Sequence, residues 1–314
     1  MKRVDVKGLE VIPQKGSAFA YETAPDLPKC HVMALVVGAR GMGKTTAAIS
    51  LMERLPYDRI FAISPSMKSN HALMQRLKIA PEDVYEDVDD LNNLTRIRAA
   101  IDAERDDLER YHDEMKRWKE LMRKIEDDGP LATIPGTELS YFFRNNDFPK
   151  PEHRWKGKRC CMALLIDDCV GSTLYTKPRA LNKFVTTHRH LGQLTEGGAL
   201  GCSVYCLVQS FRCSSGGVTK CVRNQATCMI MFGTKSKREL DEVAEECAAE
   251  VDEQLFKRVY AECMQERHDF MFIDYFRKET HPSSFRRNFN QFIIPSEIAS
   301  PLEPPCSRRT KATV

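Results

Sequence analysis

The sequence predicts an α/β fold in which a mostly parallel sheet carries helices on both faces. Apolar runs of strand length alternate with helix-compatible segments through most of the chain. These runs are apolar throughout rather than at every second position, which is typical of strands buried on both faces. A glycine-rich turn joins the first of them to a helix-compatible run within residues 31–55. Together these observations favour one α/β domain over residues 31–295.

The glycine-rich turn, GARGMGKT at 38–45, matches the pattern G-x-x-x-x-G-K-[ST] at Gly38, Gly43, Lys44 and Thr45. In such a loop, backbone N–H groups converge on phosphate oxygens, and the following helix adds the positive end of its dipole. We expect Lys44 to reach the β- and γ-phosphates and Thr45 to hold Mg²⁺. The motif therefore predicts a P-loop NTPase.

The bulk composition restricts the function less. Charged residues make up 29% of the chain and the net charge is +3, so nucleic-acid contacts would have to come from local patches. The longest apolar runs are strand-sized, and we expect neither a signal peptide nor a membrane span. Twelve cysteines include no C-x-x-C, and several lie in strand-like runs (Cys160, Cys161, Cys206 and Cys228). We expect buried reduced thiols and a reducing compartment.

The first half of the chain supplies the first predicted strands and helices. Residues 1–30 predict a lead-in or edge strand, followed by strands at 32–37 and 59–66 and helices at 45–55 and 71–77. Residues 89–128 are strongly charged with apolar residues at helical spacing, which predicts one long helix or a helical hairpin inserted into the domain. Its charges suit a solvated face, and a role as a partner-binding arm stays open.

Residues 133–158 lack periodicity and are predicted to form a loop. Basic residues surround Trp155 at the end of this segment, namely Arg154, Lys156, Lys158 and Arg159. Such a cluster can contact a phosphate backbone, although a solvated loop is the simpler interpretation.

The apolar run 160–166 predicts a buried strand that ends in Asp167 and Asp168. A carboxylate at the end of a strand downstream of a phosphate loop is placed to complete a Mg²⁺ site. We expect Asp167 to act on the metal, and Asp168 to orient or deprotonate the attacking water.

A second strand, at 202–210, ends in Gln209 and follows a helix predicted at 178–191. The carboxyl ends of parallel strands face one ligand crevice, so Gln209 is a candidate sensor of the γ-phosphate. A simple polar strand end is the alternative.

The last third of the chain predicts a short turn, a strand, a helical region and a terminal hairpin. These segments are 218–223, 227–233, 236–265 as one or two helices, and 269–276 with 289–295 as the hairpin. The proline-rich tail, 296–314, is predicted to be disordered.

The order GARGMGKT, LLIDDC, THRHLG before VYCLVQS, and VRNQATCMIMF resembles the genome-packaging ATPases of poxviruses and giant double-stranded DNA viruses, in the FtsK/HerA superfamily. The resemblance implies ATP and Mg²⁺ as cofactors, with Asp167 and Asp168 as the metal and base pair and Gln209 as the sensor. It implies that the loop residues contact the nucleotide, namely Gly38, Ala39, Arg40, Gly41, Met42, Gly43, Lys44, Thr45 and Thr46.

The same resemblance implies a ring, a pentamer or hexamer, that pumps double-stranded DNA into a preformed capsid. An arginine from one subunit would complete the neighbour's site, with Arg189 the first candidate and Arg223 the second. Capsid or portal-vertex proteins would be partners, and the host cytoplasm or the virion the location. Candidate DNA contacts are Arg212, Lys220, Arg154, Lys156 and Lys158.

Other classes of P-loop protein compete with this interpretation. Within the motors, a helicase or a conjugation-type pump is the nearest alternative. A switch GTPase would explain a D-x-x-G pattern at Asp168 to Gly171 and the pair Asn182 and Lys183, but Val185 stands where the base-reading aspartate should be. A small-molecule kinase should carry an arginine-rich lid, which the sequence does not show.

Overall fold

The computed structural model describes residues 21–126, 134–144, 147–212, 217–248 and 251–295. The described strands are β1 (Met33–Val37), β2 (Arg59–Ile63), β3 (Val84–Tyr85), β4 (Met162–Ile166), β5 (Ser203–Val208), β6 (Cys228–Phe232), β7 (Phe270–Asp274), β8 (Phe285–Arg287) and β9 (Gln291–Ile293). The described α-helices are α1 (Lys44–Met52), α2 (His71–Leu77), α3 (Asn93–Glu126), α4 (Gly136–Phe142), α5 (Thr173–Thr176), α6 (Arg179–Thr187), α7 (Lys220–Asn224), α8 (Lys237–Cys247) and α9 (Glu253–Cys263). The predicted start of the lead-in and the predicted disordered tail lie outside the described residues.

The nine strands form one sheet in the order β3-β2-β4-β5-β1-β6-β7-β8-β9. The first six strands in this order are parallel, whereas β7, β8 and β9 join antiparallel. Strand β1 is central, between β5 and β6. The prediction of a mostly parallel α/β sheet is confirmed.

Alternate residues of each central strand face opposite layers of helices. In β1, Met33, Leu35 and Val37 pack with residues of α3, α6, α8 and α9. Ala34 and Val36 pack with residues of α1 and α2. Because both faces are covered, the strands need apolar residues at every position, which explains the uninterrupted apolar runs in the sequence.

The charged segment predicted as one helix or a hairpin is a single helix, α3, of 34 residues. Its first half packs on the sheet through four buried apolar residues, Leu94, Ile97, Ile101 and Leu108, and Glu104, which is 7% exposed, adds a polar attachment. The Glu104 carboxylate accepts hydrogen bonds from Arg59 at 3.0 Å and from the Trp155 indole at 2.7 Å. Arg59 also bonds Asp83, the residue just before β3, so one cation joins three segments.

Three local predictions were wrong. The predicted loop at 133–158 contains α4, whose Phe142 packs with Leu121 of α3 in a small separate apolar cluster. The predicted turn at 218–223 contains α7, which begins where the Thr219 hydroxyl accepts a bond from the Val222 N–H. The segments predicted to form the terminal hairpin, 269–276 and 289–295, do not pair directly, because β8 lies between β7 and β9.

The cysteines of the strand-like runs are buried and unpaired, as predicted for Cys160, Cys161, Cys206 and Cys228. Among the helices that the structure describes, none is long and apolar enough to cross a membrane.

Candidate active site

The candidate site lies where three neighbouring strands end. Val37 of β1 pairs with Val208 of β5, and Ile166 of β4 pairs with Cys206 of β5. The residues that follow these strands, Gly38, Asp167 and Gln209, therefore leave the same edge of the sheet. They open into one cleft of about 1280 Å³.

The phosphate-binding loop has the backbone that its glycines permit. Gly41 and Gly43 have positive φ angles of 79° and 100°, and Gly43 directly precedes α1. A Cβ atom at Gly38 would lie 2.7 Å from the Cβ of Phe232, so a side chain there would collide with β6. The glycines of the motif are thus required by the fold as well as by phosphate approach.

Lys44, Thr45 and Asp167 meet at the centre of the loop. The Lys44 ammonium donates to the Ala39 carbonyl at 3.3 Å, across the loop. The Thr45 hydroxyl donates to the Asp167 carboxylate at 2.8 Å. A hydroxyl and a carboxylate at this distance present two oxygen donors, which suits Mg²⁺ because this ion takes few protein ligands and keeps water and phosphate oxygens.

Burial shifts the pKa of both charged groups. Lys44 is 9% exposed and Asp167 is 6% exposed. Burial lowers the pKa of the Lys44 ammonium, and the Asp167 and Asp168 carboxylates oppose this. Burial raises the pKa of Asp167, the bond from Thr45 lowers it, and Asp168 raises it. Each charge is costly to bury alone, so the ammonium and the carboxylate stabilise each other.

Asp168 and Gln209 line the same cleft and are exposed to it. Asp168 has a left-handed backbone with φ of 53°, and its N–H donates to the Asp167 carboxylate at 3.0 Å. This turn directs adjacent carboxylates to different surroundings, one buried against Thr45 and one open to solvent.

The cleft has a second wall that the sequence analysis missed. It is formed by His268 and Phe270 at the start of β7 and by the turn between β8 and β9, Asn288, Phe289 and Asn290. The His268 ring donates to the Met42 carbonyl of the phosphate loop at 3.2 Å. Strand β7 is antiparallel to β6, so it begins at the edge where the parallel strands end. No local sequence signal marks these residues, because their position depends on that strand direction.

The two candidate arginines do not line this cleft. Arg189 is exposed on a short 3₁₀ turn, His188–His190, that precedes β5. It therefore lies at the opposite edge of the sheet from the phosphate loop of its own chain. Arg223 already has partners: its guanidinium bonds Glu246 at 2.7 Å and lies 5.0 Å from the ring of Phe211.

Two of the five candidate DNA contacts are engaged by partners in their own chain, and three are exposed. Arg154 lies 3.6 Å from Glu104 and against Trp155, and Arg212 is bonded to Glu246. Lys156, Lys158 and Lys220 are exposed.

A glycine-rich loop joins a central parallel strand to a helix. The threonine of this loop is bonded to a carboxylate that follows another strand of the sheet. These two features define the class as a P-loop NTPase fold.

Solved structures of the same class resemble this chain at low identity. The genome-packaging NTPase B204 of Sulfolobus turreted icosahedral virus 2, in complex with AMPPCP, is 13% identical, with a TM-score of 0.42 over 86% of this chain and 100% of that one. The DNA-packaging ATPase B204 of Sulfolobus turreted icosahedral virus is 13% identical, with a TM-score of 0.39 over 77% and 91%. The pCW3 conjugation coupling protein TcpA, with ATPγS, is 13% identical, with a TM-score of 0.40 over 84% and 63%.

No protein-family model and no curated protein matches the sequence.

Proposed function

We propose that this protein hydrolyses ATP and uses the energy to translocate double-stranded DNA. The observation that carries the ATPase is the convergence of Lys44, Thr45, Asp167, Asp168 and Gln209 on one cleft. Each residue type is one that phosphoryl transfer to water requires, and the structure brings together groups that lie up to 165 positions apart in the chain.

The residues divide the work by their surroundings. The loop N–H groups and Lys44 bind the phosphates, and Lys44 stabilises charge on the γ-phosphoryl group. Thr45 and Asp167 would hold Mg²⁺, which neutralises phosphate charge when it is bound. Asp168 is exposed to the cleft and would accept a proton from the attacking water. Gln209 would orient that water against the γ-phosphate.

The DNA partner is supported by an unusual charge distribution. Residues 169–238 contain ten lysines and arginines but one acidic residue, Glu196. Three cations of α6 and α7, together with Lys177 just before α6, form a basic surface that we define as Lys177, Arg179, Lys183 and Lys220. All four are exposed, and within the described part of the chain none has an ion pair.

Contacts between α6 and α7 bring these cations together. The Thr219 hydroxyl donates to the Asn182 side chain at 2.7 Å, so Lys220 and Lys183, which directly follow these two residues, belong to segments in contact. Arg179 and Lys183 are four residues apart on one helical face. The nearby acid Glu246 is already paired with Arg223 and Arg212. Four uncompensated cations on one surface suit a phosphodiester backbone, bound without regard to sequence.

The position of this basic surface could couple ATP hydrolysis to DNA movement through the chain segments that lead from the site to it. Helix α6 follows the strand that ends in Asp167 and Asp168, and α7 follows the strand that ends in Gln209. A change at the γ-phosphate would therefore shift the segments that precede the basic surface. We propose that this coupling drives the DNA.

The particular motor we propose is a viral genome-packaging ATPase, following the resemblance of its motifs. It would work as a ring, a pentamer or hexamer, docked on capsid or portal-vertex proteins in the host cytoplasm or virion. Of the two candidate arginines we propose Arg189 as the residue that enters a neighbour's site, because Arg223 is bonded within its own chain. A helicase or a conjugation-type pump remains the alternative.

The test is ATP turnover with and without long double-stranded DNA, at increasing salt. We expect DNA to stimulate turnover, and DNA affinity to fall with salt. In the double variant Lys183→Ala/Lys220→Ala, the slope of log affinity against log salt should fall by about two, since each lost phosphate contact removes about 0.9. The matched control is Lys119→Ala/Lys124→Ala, two exposed lysines of α3.

Turnover that is indifferent to DNA would contradict the motor and leave the ATPase. An equal effect of the two double variants would contradict the basic surface as the DNA site. Strand separation on a forked substrate would favour the helicase over the packaging motor.

A further inference from the structure

We propose that the turn between β8 and β9 is the adenine-binding element of this site, with Phe289 stacking on the base and Asn290 recognising its edge. This inference rests on the proposed function, because it concerns the base of the same nucleotide. It assigns a binding role to residues outside the phosphate-loop, carboxylate and sensor motifs.

The cleft extends beyond what the phosphates need. At one end it is lined by the phosphate loop, Asp167 and Asp168, and it continues along α1 past Thr46 and Ser50 to Arg54. Thr46 and Ser50 are four residues apart on one face of α1, about 6 Å along the axis at the rise of an α-helix, and Arg54 lies just past the end of that helix. A sugar and a base that follow the α-phosphate would enter this part of the cleft.

The opposite side of that space is an aromatic turn. Phe289 is half-buried and lines the cleft. Its ring centroid lies 4.8 Å from that of Phe270 and 5.5 Å from that of Phe272, both buried. Packing on these two rings fixes the orientation of the Phe289 ring. A ring that is already ordered loses less entropy when a planar group stacks on it.

The turn is fixed by polar contacts that do not use its ligand-facing groups. The Asp269 carboxylate accepts bonds from Arg287 at 2.8 Å and from the Asn288 amide at 2.8 Å. The Asn288 side chain also accepts from the Phe270 N–H at 3.2 Å. Asn288 is thus committed to structure, and its neighbours Phe289 and Asn290 are presented to the cleft.

Asn290 has the chemistry for adenine. It is exposed, lines the cleft and has no hydrogen-bond partner within the described residues. An amide offers one acceptor and two donors, and it matches the donor and acceptor pair of an adenine edge, N6 and N7. Guanine presents two acceptors at the same edge, so Asn290 favours adenine.

The test measures the dissociation constants of ATP, GTP and inorganic tripolyphosphate, each with Mg²⁺, for the full chain. Phe289→Leu keeps an apolar side chain but removes the ring. We expect it to weaken the binding of ATP and of GTP by about 5- to 150-fold, since base stacking is lost. The affinity for tripolyphosphate should be unchanged, since the phosphate contacts are kept. Phe276→Leu, at an aromatic residue that is 62% exposed and outside the cleft, is the matched control and should change none of the three.

Asn290→Ala should lower the preference for ATP over GTP and leave tripolyphosphate unchanged. The inference is overturned if Phe289→Leu weakens tripolyphosphate as much as ATP, because the turn would then act only on the loop structure. It is also overturned if Phe289→Leu leaves ATP affinity intact. Failure of the proposed function appears separately: Lys44→Ala would then bind tripolyphosphate as tightly as the unaltered protein does.

Discussion

Asp167 and Asp168 are adjacent in the chain and have different surroundings. Asp167 is buried and bonded to Thr45, whereas Asp168 is exposed to the cleft in a left-handed conformation. Neighbouring carboxylates in unlike environments can serve unlike roles, one on a metal and one on a proton.

Substitution of each aspartate should separate these roles. Asp168→Asn should keep Mg²⁺-dependent nucleotide binding and lower kcat by about 10²- to 10⁴-fold, as expected for loss of a general base. Asp167→Asn should abolish the dependence of nucleotide binding on Mg²⁺. Titrations with Mg²⁺ or with a chelator, together with single-turnover rates, measure both. Loss of Mg²⁺ dependence in Asp168→Asn instead would reverse the assignment.

His188 gives the protein a sensitivity to acid. It is 2% exposed, its ring donates to the Cys202 carbonyl at 2.8 Å, and burial lowers its pKa from 6.5 to about 4. His31 and Arg189 lie nearby, and burial also lowers the pKa of His31 to about 4. The folded protein therefore holds His188 neutral where the unfolded chain takes up a proton.

Stability should fall as the pH decreases from about 6.5 to 4, because the unfolded state binds more protons in this window. The loss of unfolding free energy that His188 causes is up to about 3 kcal/mol, at about 1.4 kcal/mol per pKa unit. Denaturant unfolding of the protein and of His188→Gln across this range measures it. The free energy of unfolding of His188→Gln should depend less on pH than that of the unaltered protein. His112→Gln, at an exposed position, should keep the pH dependence of the unaltered protein. Equal curves for His188→Gln and the unaltered protein would contradict the assignment.

At the scale of elements, α3 is attached to the sheet by one ionic junction in addition to its buried apolar residues, Leu94, Ile97, Ile101 and Leu108. Glu104 faces the Arg59 guanidinium, which also bonds Asp83, and it receives the indole of Trp155. The rest of the helix surface is strongly charged, and Trp118, Leu121 and Ile125 of its outer half pack in the small apolar cluster with Phe142.

Glu104→Ala should lower the free energy of unfolding by about 3–5 kcal/mol, because it leaves Arg59 partly unpaired in a buried setting. Glu120→Ala, at an exposed position of the same helix, should change stability by less than about 0.5 kcal/mol. Chemical denaturation measures both. Since Glu104 lies outside the cleft, nucleotide affinity of the folded variant should be unchanged; a matching loss of affinity would show that α3 also supports the site.

At the scale of the whole molecule, neither of the two candidate arginines, Arg189 and Arg223, is among the described residues that line the cleft of their own chain. Arg40 and Arg54 line it, whereas Arg189 lies at the opposite edge of the sheet. A complete site would then need a second subunit, and turnover should depend on assembly.

Turnover per chain should rise with protein concentration, and Arg189→Ala should lower kcat by about 10³-fold or more with nucleotide affinity kept. Mixing Arg189→Ala with Asp168→Asn should restore some turnover, because mixed interfaces pair an intact site with an intact arginine. Steady-state rates of the single and mixed proteins provide the measurement. Turnover independent of concentration, with Arg189→Ala fully active, would contradict a shared site.

Much of the fold followed from local pattern. The phosphate loop, the strands before Asp167 and Gln209, and helices α1, α2 and α3 were predicted because apolar runs, glycines and helical spacing are local properties of the chain. Helices α4 and α7 were missed because each is short, and short helices are stabilised by packing and capping rather than by periodicity.

Local sequence patterns were enough to predict the parallel sheet and the phosphate loop, because buried strands require apolar residues and a phosphate-approaching turn requires glycine. The residues that form the rest of the cleft depend on the tertiary structure. An antiparallel β7 beside β6 brings His268, Phe270 and the Phe289 turn to the edge where the parallel strands end. Strand direction and strand neighbours are set by long-range pairing, which no local stretch of sequence records.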